Sequence, residues 1–333
     1  MPPPGTQTHL LKQEYTTGRI AILLHLKKLR DLTLTPGRSG GASYLSAASG
    51  LVAVKSFLYV VADDELHLGM FPASGDAPGV AVRILEGELP EDRAERKRLK
   101  PDLEALMLLP PGASWQHGAL LALGSGSRRN RRRGVLLRLN SFGGIEGAAR
   151  TIDLSPMLDA IAGQVGELNI EGATIVGDRW VLLQRGNKGR GINALVHLNA
   201  AAAVDAIAHS ARIAALPFDI RRYDLGLVDG IPLCFTDAAA LPDGRLVFAA
   251  VAEDTDDAYR DGRCTGAAVG IIDANGVLQD IQPLHPAVKA EGIDAWIDAG
   301  RIRVLLVTDA DDPAVPAALY QGEFPSQELH CSH

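Results

Sequence analysis

A unit made of a start residue, a polar turn and an apolar strand recurs along this chain, and nothing else in the sequence constrains the fold as strongly. In its clearest copy, Leu168 to Asn187 (LNIEGATIVGDRWVLLQRGN), Glu171 stands at the mouth of a strand, Gly177, Asp178 and Arg179 make the turn, and an apolar strand follows. A second copy, Lys289 to Asp309 (KAEGIDAWIDAGRIRVLLVTD), has Glu291 in the same place. Aligned on these two, five units start at Ser49, Glu104, Glu171, Asp237 and Glu291, a repeat of 54 to 67 residues.

After its second strand each unit carries a loop and a third apolar segment: Leu66 to Phe71, Gly134 to Leu139, Ala194 to Leu198, Ala267 to Ile272, and Ala318 to Phe324. A fourth follows in most units, at Val80 to Leu85, Ala149 to Leu154, Arg212 to Ile220 and Val277 to Leu284. Four short strands per repeat is the pattern of a β-propeller blade. The expectation is an all-β, single-domain propeller over residues 1–333 with five blades, flanked by flexible ends at 1–18 and 325–333. The last unit lacks a fourth strand, whereas Arg19 to Leu34 has strand character and no unit of its own. That segment is assigned to the last blade, because a strand from the opposite terminus closes the ring and removes an open edge. A sixth blade follows only if it supplies more than one strand. Glu86 to Lys100 reads as an exposed loop or short helix, and the alanine-rich Ala200 to Ala211 as a short helix between strands.

Composition agrees. With 47% hydrophobic and 22% charged residues the chain is not generally disordered, and 35 glycines and 19 prolines spread along it suit many turns between short strands. A net charge of −7 argues against a general nucleic-acid binder. Cys234, Cys264 and Cys331 are too few and too scattered for a disulfide framework or a zinc site, and Cys234 reads as a small core residue. The apolar run Ile20 to Leu26 is short, contains His25 and is followed by Lys27 and Lys28, so it is not a secretory signal. No run reaches the roughly 18 apolar residues of a membrane helix. A cytoplasmic protein without a membrane partner is expected.

The first strand of each propeller blade lines the axis, so the start residues converge there. Glu104, Glu171, Asp237 and Glu291 with Ser49 form a ring of four carboxyls and a hydroxyl. Such a ring must hold a cation, take up protons or recruit basic side chains. Carboxylate oxygens suit Ca2+ or Mg2+ better than zinc. Lys100 and Lys289, close before two of the acids, offer internal counter-charge instead. A start acid can also accept backbone N–H bonds from the neighbouring blade and tie the ring together with no ligand.

Loops between second and third strands open at the same end. Gly124 to Gly134 (GSGSRRNRRRG) and Arg185 to Gly191 (RGNKGRG) are cationic, while Ala252 to Arg263 and Asp309 to Pro313 are anionic. Ser125, Ser127 and Arg128, with Arg185, Asn187 and Lys188 of the next blade, are candidates to hold an anion. The same arginines also read as a solvated loop. Asp309, Asp311 and Asp312 lack the glycine and distal glutamate of an EF-hand and read as a turn or part of the rim. The tail His330 to His333 (HCSH) reads as a flexible end. No Gly-x-Ser-x-Gly elbow is present, which disfavours serine-histidine hydrolysis.

KPDLEALMLLP with ALGSGSRRNRRRG, the stretch around Glu171, and KAEGIDAWIDAGRIRVLLVTDADDP together resemble the bacterial propellers grouped as "esterase-like activity of phytase" proteins and their relatives, from about Lys100 onward. The Glu-Gly start is also similar to that of the gluconolactonase and regucalcin propellers. That resemblance implies Glu171 or Glu291 as a divalent-metal ligand. Those families place an asparagine and an aspartate on other blades, where this chain has Glu104 and Asp237. It further implies ester, phosphoester or lactone hydrolysis. The resulting expectation is an axial site that binds Ca2+ or Mg2+ and an anionic small molecule. Glu104, Glu171, Asp237 and Glu291 serve there as ligands and catalytic carboxylates; Ser125, Ser127, Arg128, Arg185, Asn187, Lys100 and Lys289 contact substrate. The alternative is a non-catalytic propeller that binds a ligand or a protein.

Overall fold

In a computed structural model of the chain, which describes residues 23–36, 43–186, 192–254 and 263–324, the five units fold as five blades of a β-propeller. Blade 1 comprises Ala48–Val54, Phe57–Ala62, His67–Pro72 and Val80–Arg83; blade 2, Leu103–Leu109, Ala119–Gly124, Arg133–Leu139 and Ile145–Asp153. Blade 3 comprises Ile170–Val176, Arg179–Gln184, Ala194–Asn199 and Phe218–Arg222. Blade 4 is built on Ile231–Ala240, Leu246–Asp254, Arg263–Ile272 and Leu278–His285, and blade 5 on Ala290–Asp298, Arg301–Thr308 and Ala318–Phe324. Strands within each set of four pair antiparallel in chain order.

Burial follows position. Second strands are sandwiched by blades on both faces, which is why they read as continuous apolar runs: ALLALG in blade 2 and the VFAAVA of blade 4 are buried throughout. Outer strands such as Val80–Arg83 and Phe218–Arg222 meet solvent and carry charge. Five hydrophobic clusters fill the five junctions between neighbouring blades, including the junction of blade 5 with blade 1. The ring is therefore complete at five.

The N-terminal segment closes it as expected, with a difference. Lys27–Asp31 runs antiparallel to Ala318–Phe324 and is the fourth strand of blade 5. Leu24–His25 instead pairs parallel with the outer strand of blade 4. The segment thus supplies two strands, but they finish two blades rather than start a sixth. Buried Arg30 clasps the joint by donating to the carbonyl oxygens of Pro72 (2.7 Å), Gly75 (3.2 Å) and Ala77 (3.3 Å) in blade 1.

Among the described residues three α-helices interrupt the blades: α1 (Arg93–Leu99), α2 (Ser155–Val165) and α3 (Ala200–His209). Asp92 caps α1 by accepting from the Glu95 N–H at 2.8 Å, and Asn199 caps α3 by accepting from the Ala202 N–H at 2.9 Å. The α1 and α3 positions match the expected short helices. The α2 helix was not anticipated; its Met157, Leu158 and Ile161 join the core between blades 2 and 3. Among the described residues no helix is long and apolar enough to cross a membrane.

Candidate functional site

Every inner strand has the same irregularity near its start. In blade 3, Ile170 pairs with Gln184 and Gly172 with Leu183, leaving Glu171 as a bulged extra residue. The same register shift isolates Ser49 in blade 1, Glu104 in blade 2 and Glu291 in blade 5. In blade 4 it falls between Phe235 and Asp237, so the bulged residue is Thr236.

This corrects the placement of Asp237. It sits one residue further along, at the level of Gly50, Ala105, Gly172 and Gly292, where inner strands approach closely. A Cβ on Gly172 would lie 2.8 Å from the Asp237 Cα, and one on Gly292 would lie 2.8 Å from the Leu51 N. Asp237 is 1% exposed and accepts from the Ile293 N–H of blade 5 at 3.0 Å. Burial pushes its carboxyl well above the usual range, against backbone N–H groups that pull it down. Its role is to tie blades together, away from the acid ring. Thr236 likewise links blades, donating to Ala290 O at 2.8 Å.

The acids that do meet lie at the mouth of the channel. From blade 3, Arg185 contacts Glu171 at 3.1 Å, reaches across to Glu253 of blade 4 at 2.9 Å, and stands 3.9 Å from Glu291 of blade 5. Lys289 takes up the other side of Glu253 (2.9 Å) and Glu291 (3.3 Å) and also contacts Asp311 (2.6 Å) and Asp309 (3.9 Å). Across the mouth, Lys100 pairs with Asp63 of blade 1 and with Asp102 at 2.9 Å. Arg131 contacts the other Asp102 oxygen at 2.7 Å.

The lysines therefore act as internal counter-charges. The loop GSGSRRNRRRG also holds an anion, but that anion is Asp102. Ser125 donates to it, the Ser125 and Ser127 hydroxyls lie 2.8 Å apart, and Arg131, rather than the expected Arg128, supplies the guanidinium. Asn187 and Lys188 lie outside the described residues, as do the two flanking ends and the HCSH tail.

Eight carboxyls (Asp63, Asp102, Glu104, Glu171, Glu253, Glu291, Asp309 and Asp311) thus share four cations (Lys100, Arg131, Arg185 and Lys289). Burial raises the Glu291 carboxyl to about 8 despite Lys289 and Arg185, and the Asp309 carboxyl to about 7 despite Lys289. Burial also opposes the Lys100 and Lys289 ammonium groups, but the acids around them raise both.

Alternation of sign fails where Glu104 faces Glu171. Among the described residues Glu104 has no hydrogen bond or ion pair, and burial, with Asp102 and Glu171 nearby, holds its carboxyl well above the ordinary value. Oxygens of Asp63, Asp102 and Glu104 lie within 4.8 Å of one another, a spacing a hard cation can bridge. Of the four acids expected as metal ligands, only Glu104 belongs to this group. Glu171 and Glu291 are engaged by Arg185 and Lys289.

Sequence reading missed Asp63, Asp102, Glu253 and Arg131. Strand alternation contained a signal for one of them. The residue two before each bulge shares its face, which selects Asp102, Asn169, Cys234 and Lys289. Cys234 accordingly lies beside the ions and not in a plain apolar core; burial, with Glu253 and Glu171 nearby, raises its thiol against the pull of Arg185.

Comparison with solved structures finds similar folds at low identity. The α-L-arabinofuranosidase PaAbf62A from Podospora anserina, in complex with cellotriose, aligns at 11% identity and TM-score 0.47, covering 92% of this chain and 98% of that one. The tail fiber of Staphylococcus aureus phage P68 aligns at 10% identity and TM-score 0.44, covering 92% and 54%. No curated protein matches in sequence. Neither structure is a phytase-like protein or a gluconolactonase. Residues 44–323 match a family described as a family of unknown function. The chain belongs to that family, DUF6929.

Proposed function

We propose that the channel mouth binds a divalent, oxygen-preferring cation through Glu104, Asp102 and Asp63, and holds a small anionic ligand beside it. The observation that carries this reading is Glu104, a half-buried residue whose carboxyl has no hydrogen bond or ion pair among the described residues and lies with two other acids whose oxygens are within 4.8 Å. Burying a polar group unpaired costs roughly 1–3 kcal/mol. Cation binding would offset that cost by replacing the Glu104 proton. The donor set, carboxylate oxygens with no nitrogen or sulfur, matches Ca2+, Mg2+ or Mn2+. Lys100 competes for the same oxygens, so cation binding shifts its ammonium toward the neighbouring cavity.

Hydrolysis is the chemistry this arrangement favours. A bound cation would supply Lewis acidity toward an acyl or phosphoryl oxygen. Glu291, its carboxyl raised to about 8, is suited to exchange a proton near neutral pH, and Arg185 stands beside it to balance negative charge.

Thermal melting and calorimetric titration with CaCl2, MgCl2 and MnCl2 test the site. At least one cation is expected to raise the melting temperature of the wild-type protein by mass action. Glu104→Gln, which preserves shape, should fold normally and lose that rise. A Glu104→Gln variant that responds to cations like wild type overturns the proposal. A phosphoester and lactone screen with and without EDTA then reads the hydrolytic part, and activity indifferent to EDTA counts against it.

A further inference from the structure

Beside the acid ring, between blade 5, blade 1 and α1, opens a cavity of about 680 Å3. That volume is within the roughly 300–1,000 Å3 common for small-molecule sites. Its walls differ in charge. The loop after the second strand of blade 5 contributes Asp309, Asp311 and Asp312, while the α1 side contributes Arg93, Arg96 and Lys97 together with the acids Glu91, Asp64 and Glu65. Tyr44 and two serines line the wall between them, and little of the lining is aliphatic.

Internal pairing leaves part of each charged wall available. Arg96 is committed to Asp64 at 3.1 Å and Glu65 at 2.9 Å, and Asp311 to Lys289 at 2.6 Å. Asp312 is exposed, and among the described residues its carboxylate accepts only the local Ala314 N–H at 2.9 Å. Arg93, also exposed, reaches over to the Asp311 carbonyl at 3.4 Å, the long limit of a hydrogen bond and one a ligand can displace.

We propose that this cavity takes a small polar zwitterion, its ammonium group against Asp309 and Asp312 and its oxyanion against Arg93. The inference rests on the reading of the channel mouth as the ligand site and specifies the ligand class. Opposite charges on facing walls favour a molecule that carries both signs over a simple anion, which one wall repels. They equally favour it over a simple amine. Charged side chains on both walls would be desolvated by a hydrocarbon ligand, which they disfavour.

Calorimetric titration of the full chain with O-phosphoethanolamine, and separately with ethanolamine and inorganic phosphate, tests it. The zwitterion is expected to bind at least about tenfold more tightly than either half. Arg93→Gln should weaken phosphate and zwitterion but not ethanolamine, and Asp312→Asn should weaken ethanolamine and zwitterion but not phosphate. Both positions are exposed, so unchanged melting temperatures will confirm folding. Phosphate binding as tight as the zwitterion, no measurable zwitterion binding, or equal responses of both variants to all three probes would each overturn the proposal. Cation and zwitterion titrations of the wild-type protein, run side by side, separate the two readings. Zwitterion binding with no cation effect on the wild type sinks the cation site alone, and a cation effect without zwitterion binding sinks the cavity proposal alone.

Discussion

Asp237 accepts a hydrogen bond from the Ile293 N–H at 3.0 Å, and burial pushes its carboxyl well above the ordinary range. Its contribution is an acceptor that spans two blades. Asp237→Asn should cost under about 1 kcal/mol in urea unfolding, and Asp237→Ala about 1–3 kcal/mol, since the Ile293 N–H is then buried without a partner. Neither should change the melting response to divalent cations; an Asp237→Asn protein that loses it would restore Asp237 to the cation site. The sequence TDAAA presents Asp237 as the natural counterpart of Glu171, because an acid is what recurs. Register shows that Thr236 is the counterpart. Bulge position depends on pairing with the second strand, and that pairing is invisible in a single strand's sequence.

At the scale of the strand, the joint between the chain's two ends depends on Lys27–Asp31 adding to blade 5. Arg30 extends it sideways, with three carbonyl acceptors in blade 1 and its guanidinium 5.5 Å from the Phe71 ring centre. Removing a buried, multiply bonded cation leaves those carbonyls unpaired, so Arg30→Ala is expected to destabilise by about 2–4 kcal/mol. Lys28→Ala, whose Asp31 pair is solvent-exposed at 2.7 Å, should cost under about 1 kcal/mol. Equal unfolding midpoints for the two variants would show that Arg30 does not secure the joint. Strand character in Arg19 to Leu34 was legible from its apolar content. Its division between blades 4 and 5 was not, because both open edges accept a strand and only the closed ring positions them.

Across the whole molecule, eight carboxyls and four cations are held at one end of the channel by strands from all five blades or the loops between them. Glu291 holds its proton up to about pH 8 in the folded protein, against an ordinary carboxyl value of 4.5. Between those two values the folded state binds more protons than the unfolded one, so stability must fall as pH rises. A melting temperature that declines from about pH 5 to about pH 8 and then levels is the expected profile. Glu291→Gln should make the decline shallower, with Asp309, raised to about 7, still contributing; a wild-type profile that rises through this window would refute the assignment. A divalent cation at the mouth should stabilise more at the alkaline end, where it no longer competes with protons.

Five start residues at near-regular spacing, apolar second strands and turn residues between them determine a five-bladed propeller, because each repeat buries its faces only against the next. The presence of acids near the axis follows from the same spacing. Which acids meet does not. Asp63, Asp102, Glu104 and Glu253 come from three blades, and their approach depends on bulge register, loop path and the positions taken by Lys100 and Arg185. Those are properties of the closed ring. Only there does Glu171 pair with Arg185 while Glu104, among the described residues, is left without an ion pair.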